Sequence, residues 1–415
     1  MNLRGLISLL LFVLFLFRPF SAGGEEQNGK KYTLEEILIL AKEKNPSIVI
    51  FRANLESARG ALVSARAYPN PELDADIGRG KALESGAVYE RQYSFGISQL
   101  LEWPGKRLYR RKAAEAEIDV AGQEFEDFRL ELTAQVKEAF FNALLSKRLL
   151  EIAAKNIETA QALVNSVQLR VNAGEAPALE LVKARVELLR ATKDLKSAEN
   201  RVAFSKSALK ALLGGALSAD DEIAGDFSGV RRRYELSSLI EEAMTRHPQI
   251  VRQTRAFEAA GYTLSQERQA RFPDLSVRGS MSEEIDKRSY SVGLSIPFPF
   301  FYQRQGEVAV AQAGRARAEA ELERTRVELA KLITQEYQNY QIALDQLNIF
   351  NEGLLKQADE ALRIAQFSYE QGESGLLDLL DAVRVQRTTL VEYDEAQFEL
   401  QAALARLERM TGGLP

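Results

Sequence analysis

The chain has no cysteine and only one histidine, His247, among its 415 residues. The lack of cysteine excludes disulfides, thiolate metal sites, a cysteine nucleophile and a lipid-anchored N-terminal cysteine. His247 directly precedes Pro248, and the α region is disfavoured before a proline. We therefore expect His247 to lie at a helix end rather than to bind a ligand. The sequence predicts no metal site and no cofactor.

Signatures of enzymes and of nucleic-acid-binding proteins are also missing. The sequence has no GxSxG, HExxH, Walker or Rossmann pattern. Its carboxylates lie along periodic helical segments, whose charged faces are usually solvated. The net charge of -5 provides no basic footprint for nucleic acid. We therefore expect neither an enzymatic activity nor a nucleic-acid partner.

Beyond residue 24 the chain has no uncharged apolar run of the roughly 20 residues that a membrane-spanning helix needs. Residues 1–24 have the order of a secretory signal: Arg4 is the positive start, residues 6–17 are almost entirely apolar, and residues 21–23 are small. A retained anchor is the alternative, but this apolar run is too short to span a bilayer. The sequence predicts a cleaved signal peptide and export without a lipid anchor.

The most informative feature is an internal duplication, in which landmarks recur about 200 residues apart. The landmarks pair Tyr32 with Tyr234, Asn45 with His247, Pro71 with Pro273, Tyr93 with Tyr290, Gly174 with Gly372, and Gly214 with Gly412. This spacing predicts a first repeat at 25–218, a linker at 219–233 and a second repeat at 234–415.

Each repeat ends in long segments with helical periodicity. In the first repeat these are residues 106–171 and a return segment at 178–213. In the second repeat no proline interrupts residues 300–414, which predicts another long helix and a return helix at 376–410. A helix over 106–171 would be about 99 Å long. Helices of that length must pack along one another in a tube or rod.

Each repeat opens with a short helix, predicted at 34–44 and 236–246, that stops before a proline, and with a second helix that ends near Ala67 or Ala270. Between these helices and the long helical segments, the period changes to strict alternation of apolar and polar residues. We predict two strands within about 71–100 and two more within about 273–298, with Leu73 and Ile77 on one face and Asp74 on the other. A soluble sheet over a core and a membrane barrel both produce this pattern. We favour the barrel, because no other part of the chain offers a second sheet to cover the apolar face.

Four strands cannot close a barrel, since about eight are needed. A dimer would give eight strands around a lumen filled by side chains, whereas a trimer would give twelve around water. The small and polar residues of one strand face favour a homotrimer. Aromatic residues where strands meet helices are expected at the interface with outer-membrane lipid. They are Trp103, Phe298, Phe300, Phe301 and Tyr302.

Two glycine turns separate the long segments. Residues 369–382 read YEQGESGLLDLLDA, and a weaker copy within 170–184 reads RVNAGEAPALELVKA. Each turn is therefore predicted to be the tip of a helical hairpin. Asp378 and Asp381 are three residues apart and share one helix face. They either form a cation-favouring ring at the entrance of an oligomer or are helix N-terminal residues favoured by the helix dipole.

The twofold order of short helices, strand hairpin, long helix, glycine tip and return helix resembles the TolC family of outer-membrane efflux channels. The LLDLLDA run at 376–382 and the EWPGKR junction at 102–107 carry the same resemblance, and the junction is similar to that of cation-efflux members. The resemblance covers nearly all of the chain beyond the signal. It implies a mainly α fold with a small membrane β part, which as a trimer forms a 12-stranded β-barrel continued by an α-helical periplasmic tunnel.

The same resemblance implies a passive exit duct in the outer membrane of a Gram-negative-type bacterium. An inner-membrane pump would drive export through a periplasmic adaptor, with metal cations as a candidate substrate. The alternative is a non-channel periplasmic coiled-coil scaffold or adaptor, which would share the long hairpins but would not need four amphipathic strands.

By position, the resemblance implies roles for several tip residues. Asp378 and Asp381 would ring the entrance, and Glu180 and Tyr369 would link neighbouring hairpins in the closed state. The tip residues expected to dock the adaptor are Gly174, Gly372 and Ser374. Ser374 stands where the best-described latch of the family has an arginine, so the latch here is expected to be weaker or built differently.

Overall fold

The structure, a computed structural model, describes residues 30–81, 86, 88–218, 220–227, 232–284 and 287–413. The predicted signal peptide at 1–24 and the linker positions 219 and 228–231 lie outside the described residues. The helices are α1 (Leu34–Lys44), α2 (Pro46–Arg66), α3 (Pro104–Asn172), α4 (Ala178–Leu212), α5 (Leu236–Arg246), α6 (Pro248–Gln269), α7 (Gln305–Ile349), α8 (Leu355–Glu370) and α9 (Leu376–Thr411). The strands are β1 (Lys31–Tyr32), β2 (Glu72–Gly80), β3 (Glu90–Leu101), β4 (Glu222–Ile223), β5 (Leu275–Glu284) and β6 (Lys287–Ser295).

Local capping explains the short helices that open each repeat. The Thr33 side chain accepts the Glu36 N–H and the Glu36 carboxylate accepts the Thr33 N–H, so α1 begins with a capping box. Asn45 and His247 each end one helix and cap the next, where a proline occupies the first helical position. The predicted position of His247 at a helix end is confirmed.

The same two caps tie the start of each repeat to its end. The Asn45 side-chain amide donates to the Leu212 carbonyl over 2.9 Å, and His247 Nε2 lies 3.1 Å from the Arg409 carbonyl. A carbonyl only accepts, and His247 Nδ1 accepts the Gln249 N–H, so the imidazole is neutral with its proton on Nε2. This shared contact is a structural sign of the duplication.

The longest element is α3, whose 69 residues extend for about 104 Å. Its partner α4 buries Ala184, Ala191, Ala198 and Ser205, which recur at every seventh position. A seven-residue period keeps one seam of α4 against its neighbour, and the small side chains let the two helices approach closely. The predicted long hairpin is therefore present in the first repeat.

The second repeat departs from the predicted uninterrupted helix. Between α7 and α8, residues Phe350–Leu354 form a π-helical turn in which Gly353 has φ 150° and ψ -8°. Side chains rarely adopt that conformation, so the break depends on glycine. The counterpart in the first repeat, about 198 residues earlier, is Lys155, and α3 continues through it. The signal available in the sequence was this single glycine.

The amphipathic strands form one antiparallel sheet in the order β2-β3-β5-β6. The two hairpins join through β3 and β5, with Tyr93 opposite Glu283 and Leu101 opposite Leu275. One face carries the apolar side chains, and they are exposed: Val292, for example, is 85% exposed. The four predicted strands are therefore present, and nothing in the described part of the protomer covers their apolar face.

Buried side chains gather in three clusters rather than one core. One cluster packs α1 and α2 against α3 and the end of α4, and a second repeats this arrangement with α5, α6, α7 and α9. The third lies at the hairpin tips. Among the described residues, no helix is both long and apolar enough to cross a membrane.

Candidate functional site

Both hairpin tips are closed by the same glycine turn. Gly174 and Gly372 have φ values of 78° and 76°, in the left-handed region that favours glycine. The Glu175 N–H donates to the Arg170 carbonyl over 2.9 Å, and the second tip repeats this bond over 2.8 Å. These bonds satisfy carbonyls that the helix end leaves unpaired. The two tips are thus matched in backbone and differ in their side chains.

The two tips pack on each other within one protomer. Their buried apolar cluster consists of Val167, Ala184, Tyr369, Leu376 and Leu379. Tyr369, near the end of α8, is only 5% exposed. The hairpin α3–α4 and the hairpin α8–α9 therefore end in one shared structure.

Asp378 and Asp381 lie on the exposed side of this structure, at the start of α9. The Gly375 N–H donates to the Asp378 carboxylate over 3.2 Å. Asp378 therefore has a structural role at the helix N-terminus, where the dipole also favours its charge. Asp381 lies one turn further along the same face, beyond the capping contact. This geometry brings the two carboxylates together and leaves both in contact with solvent.

Glu180 and Tyr369 also meet at the tips. Three polar side-chain atoms of the described tip residues are buried without a hydrogen-bond partner: Glu180 Oε2, the Tyr369 hydroxyl and the Ser374 hydroxyl. Each such atom costs roughly 1–3 kcal/mol. The polar groups of the tip are therefore poorly satisfied in a single protomer.

Arg170 approaches Tyr369 from the last turn of α3. Its guanidinium carbon lies 4.8 Å from the centre of the tyrosine ring, which is within cation–π range. Burial raises the pKa of Tyr369 above its ordinary value, while the charge of Arg170 lowers this pKa and the Glu180 carboxylate raises it. Arg170 was not among the site residues predicted from the sequence. The only sequence signal for it was its position one turn before Gly174.

A groove of about 600 Å³ lies beside this contact, between the two hairpins. Ser166, Arg170 and Tyr369 line it together with Gly372 and Leu379. The groove runs beside the seam along which the two tips meet. Arg170 and Tyr369, which are in contact, both form part of its wall.

The predicted membrane-edge aromatics lie at the opposite end of the long helices. Trp103 stacks on Phe272 with 4.9 Å between ring centres, and its indole N–H donates to Gln269 over 3.0 Å. Phe298 and Phe300 are in mutual contact, and Phe301 is fully exposed.

The two repeats are also joined at this end by Asp274, which the sequence predictions did not include. Its carboxylate accepts both the Trp103 N–H and the Lys106 ammonium over 2.8 Å. The pair is largely shielded from solvent, so it fixes the strand-to-helix junction of the first repeat against the second.

The described residues contain no group of three or more histidine, aspartate or glutamate side chains placed to hold a metal ion.

The sequence profile of the family described as outer membrane efflux protein matches residues 37–215 and 239–413. The chain belongs to this family. The family matches twice, once in each repeat, as the duplication predicts. Membership confirms the resemblance and the efflux function predicted from the sequence, and it places the protein among proteins of the outer membrane.

Individual relatives of this outer membrane efflux protein agree with the family match. It is 25% identical to the cobalt-zinc-cadmium resistance protein CzcC of Cupriavidus metallidurans over 382 residues, 92% of this chain and 90% of CzcC. It is 27% identical to the pyoverdine export outer membrane protein OpmQ of Pseudomonas aeruginosa over 386 residues, 87% of this chain and 79% of OpmQ. A solved structure of CusC superimposes with a TM-score of 0.79 at 19% identity and covers 92% of both chains. That likeness confirms the fold.

Proposed function

We propose that the protein is the passive outer-membrane exit duct of a multi-component efflux complex and that it works as a homotrimer. The observation that carries this proposal is the four-stranded sheet, which has an exposed apolar face, a polar face and two open edges. In the described part of the protomer, β2 and β6 each pair on one side only. Open edges invite pairing with another chain, and closing the sheet into a barrel removes them.

Three copies would supply twelve strands, with β2 of one protomer paired to β6 of the next. The apolar face, represented by Leu73, Ile77 and Val292, would then meet lipid. A twelve-stranded barrel leaves room for water, whereas an eight-stranded barrel is filled by side chains.

The polar sheet face suits a water-filled lumen. Many of its side chains are small, and some pair across strands: Asp74 with Arg278 at 2.9 Å, and Ser280 with Ser291 at 2.8 Å. These contacts keep the charged groups against the wall, so they do not obstruct a pore. Such a lining does not select a substrate by shape.

The tips would form the periplasmic entrance. Asp378 and Asp381, repeated by threefold symmetry, would give rings of carboxylates that favour cations. Contacts at Glu180 and Tyr369 would keep the entrance shut. The surface around Gly174, Gly372 and Ser374 would receive a periplasmic adaptor, which connects the duct to the inner-membrane pump that supplies energy.

We assign metal cations as the candidate substrate class. The support is the similarity to CzcC, which is named for resistance to cobalt, zinc and cadmium, together with the acidic entrance. Similarity to OpmQ, named for pyoverdine export, makes an organic substrate the second candidate. Export of metal would be recognised by metal sensitivity of a deletion strain and its rescue by the gene.

A periplasmic scaffold or adaptor remains the competing function, and extraction behaviour separates the two. The duct should be found in the outer-membrane fraction after signal cleavage. The assembled trimer should survive mild detergent, migrate on gels well above the monomer position before heating and shift to the monomer position after heating. Recovery as soluble periplasmic protein without heat-dependent migration would refute the duct.

A further inference from the structure

We propose that Arg170 is the positioning residue that holds the two hairpin tips of each protomer together and so keeps the entrance closed. The inference rests on the proposed duct function and names a residue for its closed state.

Arg170 and Tyr369 are in contact across the seam between the two tips. Arg170 belongs to the hairpin α3–α4, and Tyr369 belongs to the hairpin α8–α9. The guanidinium lies 4.8 Å from the centre of the tyrosine ring. Tyr369 is buried in the apolar cluster that joins the tips, so the ring is fixed. The attraction to the ring face therefore acts across the seam between the hairpins.

Polar atoms around this contact add to the link. The Tyr369 hydroxyl lies close to both Arg170 and Glu180, and the two side chains have opposite effects on the pKa of the phenol. Neither contact has the full geometry of a hydrogen bond, and Glu180 Oε2 has no partner in the described protomer. Arg170 and Glu180 therefore both act on Tyr369 across the seam, and Arg170 supplies the attraction to the ring face.

The two tips differ at the position one turn before the glycine. Arg170 lies four residues before Gly174, and the residue four before Gly372 is Ser368. The Ser374 side chain is too short to reach across the seam and carries no charge. Of these three tip positions only Arg170 is positively charged. The first hairpin therefore supplies the cation of the contact, and the second hairpin supplies the aromatic ring.

Arginine suits this position better than lysine would. Its flat guanidinium stacks on an aromatic ring and holds its charge at any physiological pH, whereas a lysine ammonium is more strongly hydrated. A simpler role for Arg170 is to complement the dipole at the end of α3. That role would affect helix stability, but it would not couple Arg170 to Tyr369.

The test uses the full-length protein, extracted as trimers and reconstituted in planar bilayers. R170A should raise the open fraction of single channels by at least three- to tenfold, because loss of one cation–π contact alone has an effect of roughly that size and each of the three protomers loses one. R170K should give a smaller increase, and Y369L an increase similar to that of R170A. The double variant should open no more than the larger single one, because both changes remove the same contact.

The matched control is R185A. Arg185 is exposed on α4 and bonds to Gln168 of the same hairpin over 3.1 Å, so it does not cross the seam. R185A should gate like wild type. Equal gating of R170A and wild type, or additive effects in the double variant, would overturn the proposal. If R170A does not assemble, R170K decides: its open fraction should exceed that of wild type, and an open fraction equal to that of wild type would overturn the proposal. A wild-type protein without channel activity would instead refute the duct function.

Discussion

Neutralising the tip carboxylates should separate a structural role from a role in permeation. Asp378 caps α9 through its 3.2 Å contact with the Gly375 N–H, whereas Asp381 lies beyond that contact. Asp378→Asn keeps an oxygen acceptor but loses the charge that the helix dipole favours, so it should cost about 0.3–1 kcal/mol of stability per protomer. Asp381→Asn should cost almost none.

The effect on permeation should be larger for both variants. A carboxylate about 5 Å from a passing monovalent cation contributes about 0.8 kcal/mol in water, so a threefold ring contributes about 2.4 kcal/mol. Removing one ring should lower the ratio of cation to anion permeability by up to about sixtyfold at low salt, and less as salt screens the charges.

Reversal potentials across a potassium chloride gradient measure this ratio directly. The control is Glu199→Gln, which removes an exposed charge that pairs with Lys196 on α4, away from the tips. If Asp381→Asn and the double variant both keep the wild-type reversal potential, the carboxylates do not form a selectivity ring. They would then be helix N-terminal residues only.

Two further predictions concern the scaffold. Gly353→Ala should destabilise the protein by about 1–2 kcal/mol, because an L side chain does not tolerate φ 150°, whereas Lys155→Ala at the matching position of α3 should be nearly neutral in thermal unfolding. A neutral Gly353→Ala would mean that the π-helical turn is not required. Burial lowers the pKa of His247, while the Arg409 carbonyl and Asp127 act in the opposite direction. The buried neutral imidazole therefore contributes to the stability of the fold above about pH 6.5, and this contribution is lost as the pH falls. His247→Asn, which copies Asn45 of the first repeat, should remove that loss in thermal melts recorded from pH 7.5 to 5, and an unchanged pH dependence would contradict this account of His247.

The sequence was a good guide wherever structure depends on neighbouring residues. The helices Leu34–Lys44 and Leu236–Arg246 occupy the predicted positions, because a residue followed by proline ends each of them locally and a capping box begins the first. The alternating strands and glycine tips were predictable for the same reason, since period and turn chemistry are written in a few adjacent residues.

Contacts between distant segments could not be predicted in this way. Pairing of β3 with β5 joins strands from different repeats, and the approach of Arg170 to Tyr369 joins tips about 200 residues apart. Both depend on how long helices pack, which composition and periodicity do not specify. The break at Gly353 was missed because one glycine in a periodic segment is usually tolerated within a helix.

Cysteine cross-linking between the sheet edges tests the central claim of a trimeric barrel most directly. The chain has no cysteine of its own, so only introduced pairs can react. Ala75→Cys on β2 would be combined in turn with Val292→Cys and Leu294→Cys on β6, because paired strands bring such positions within disulfide distance. Oxidation of membrane-extracted protein should give covalent dimers and trimers and nothing larger. Monomers alone in both pairs, or a ladder that stops at two or continues past three, would contradict the trimeric duct.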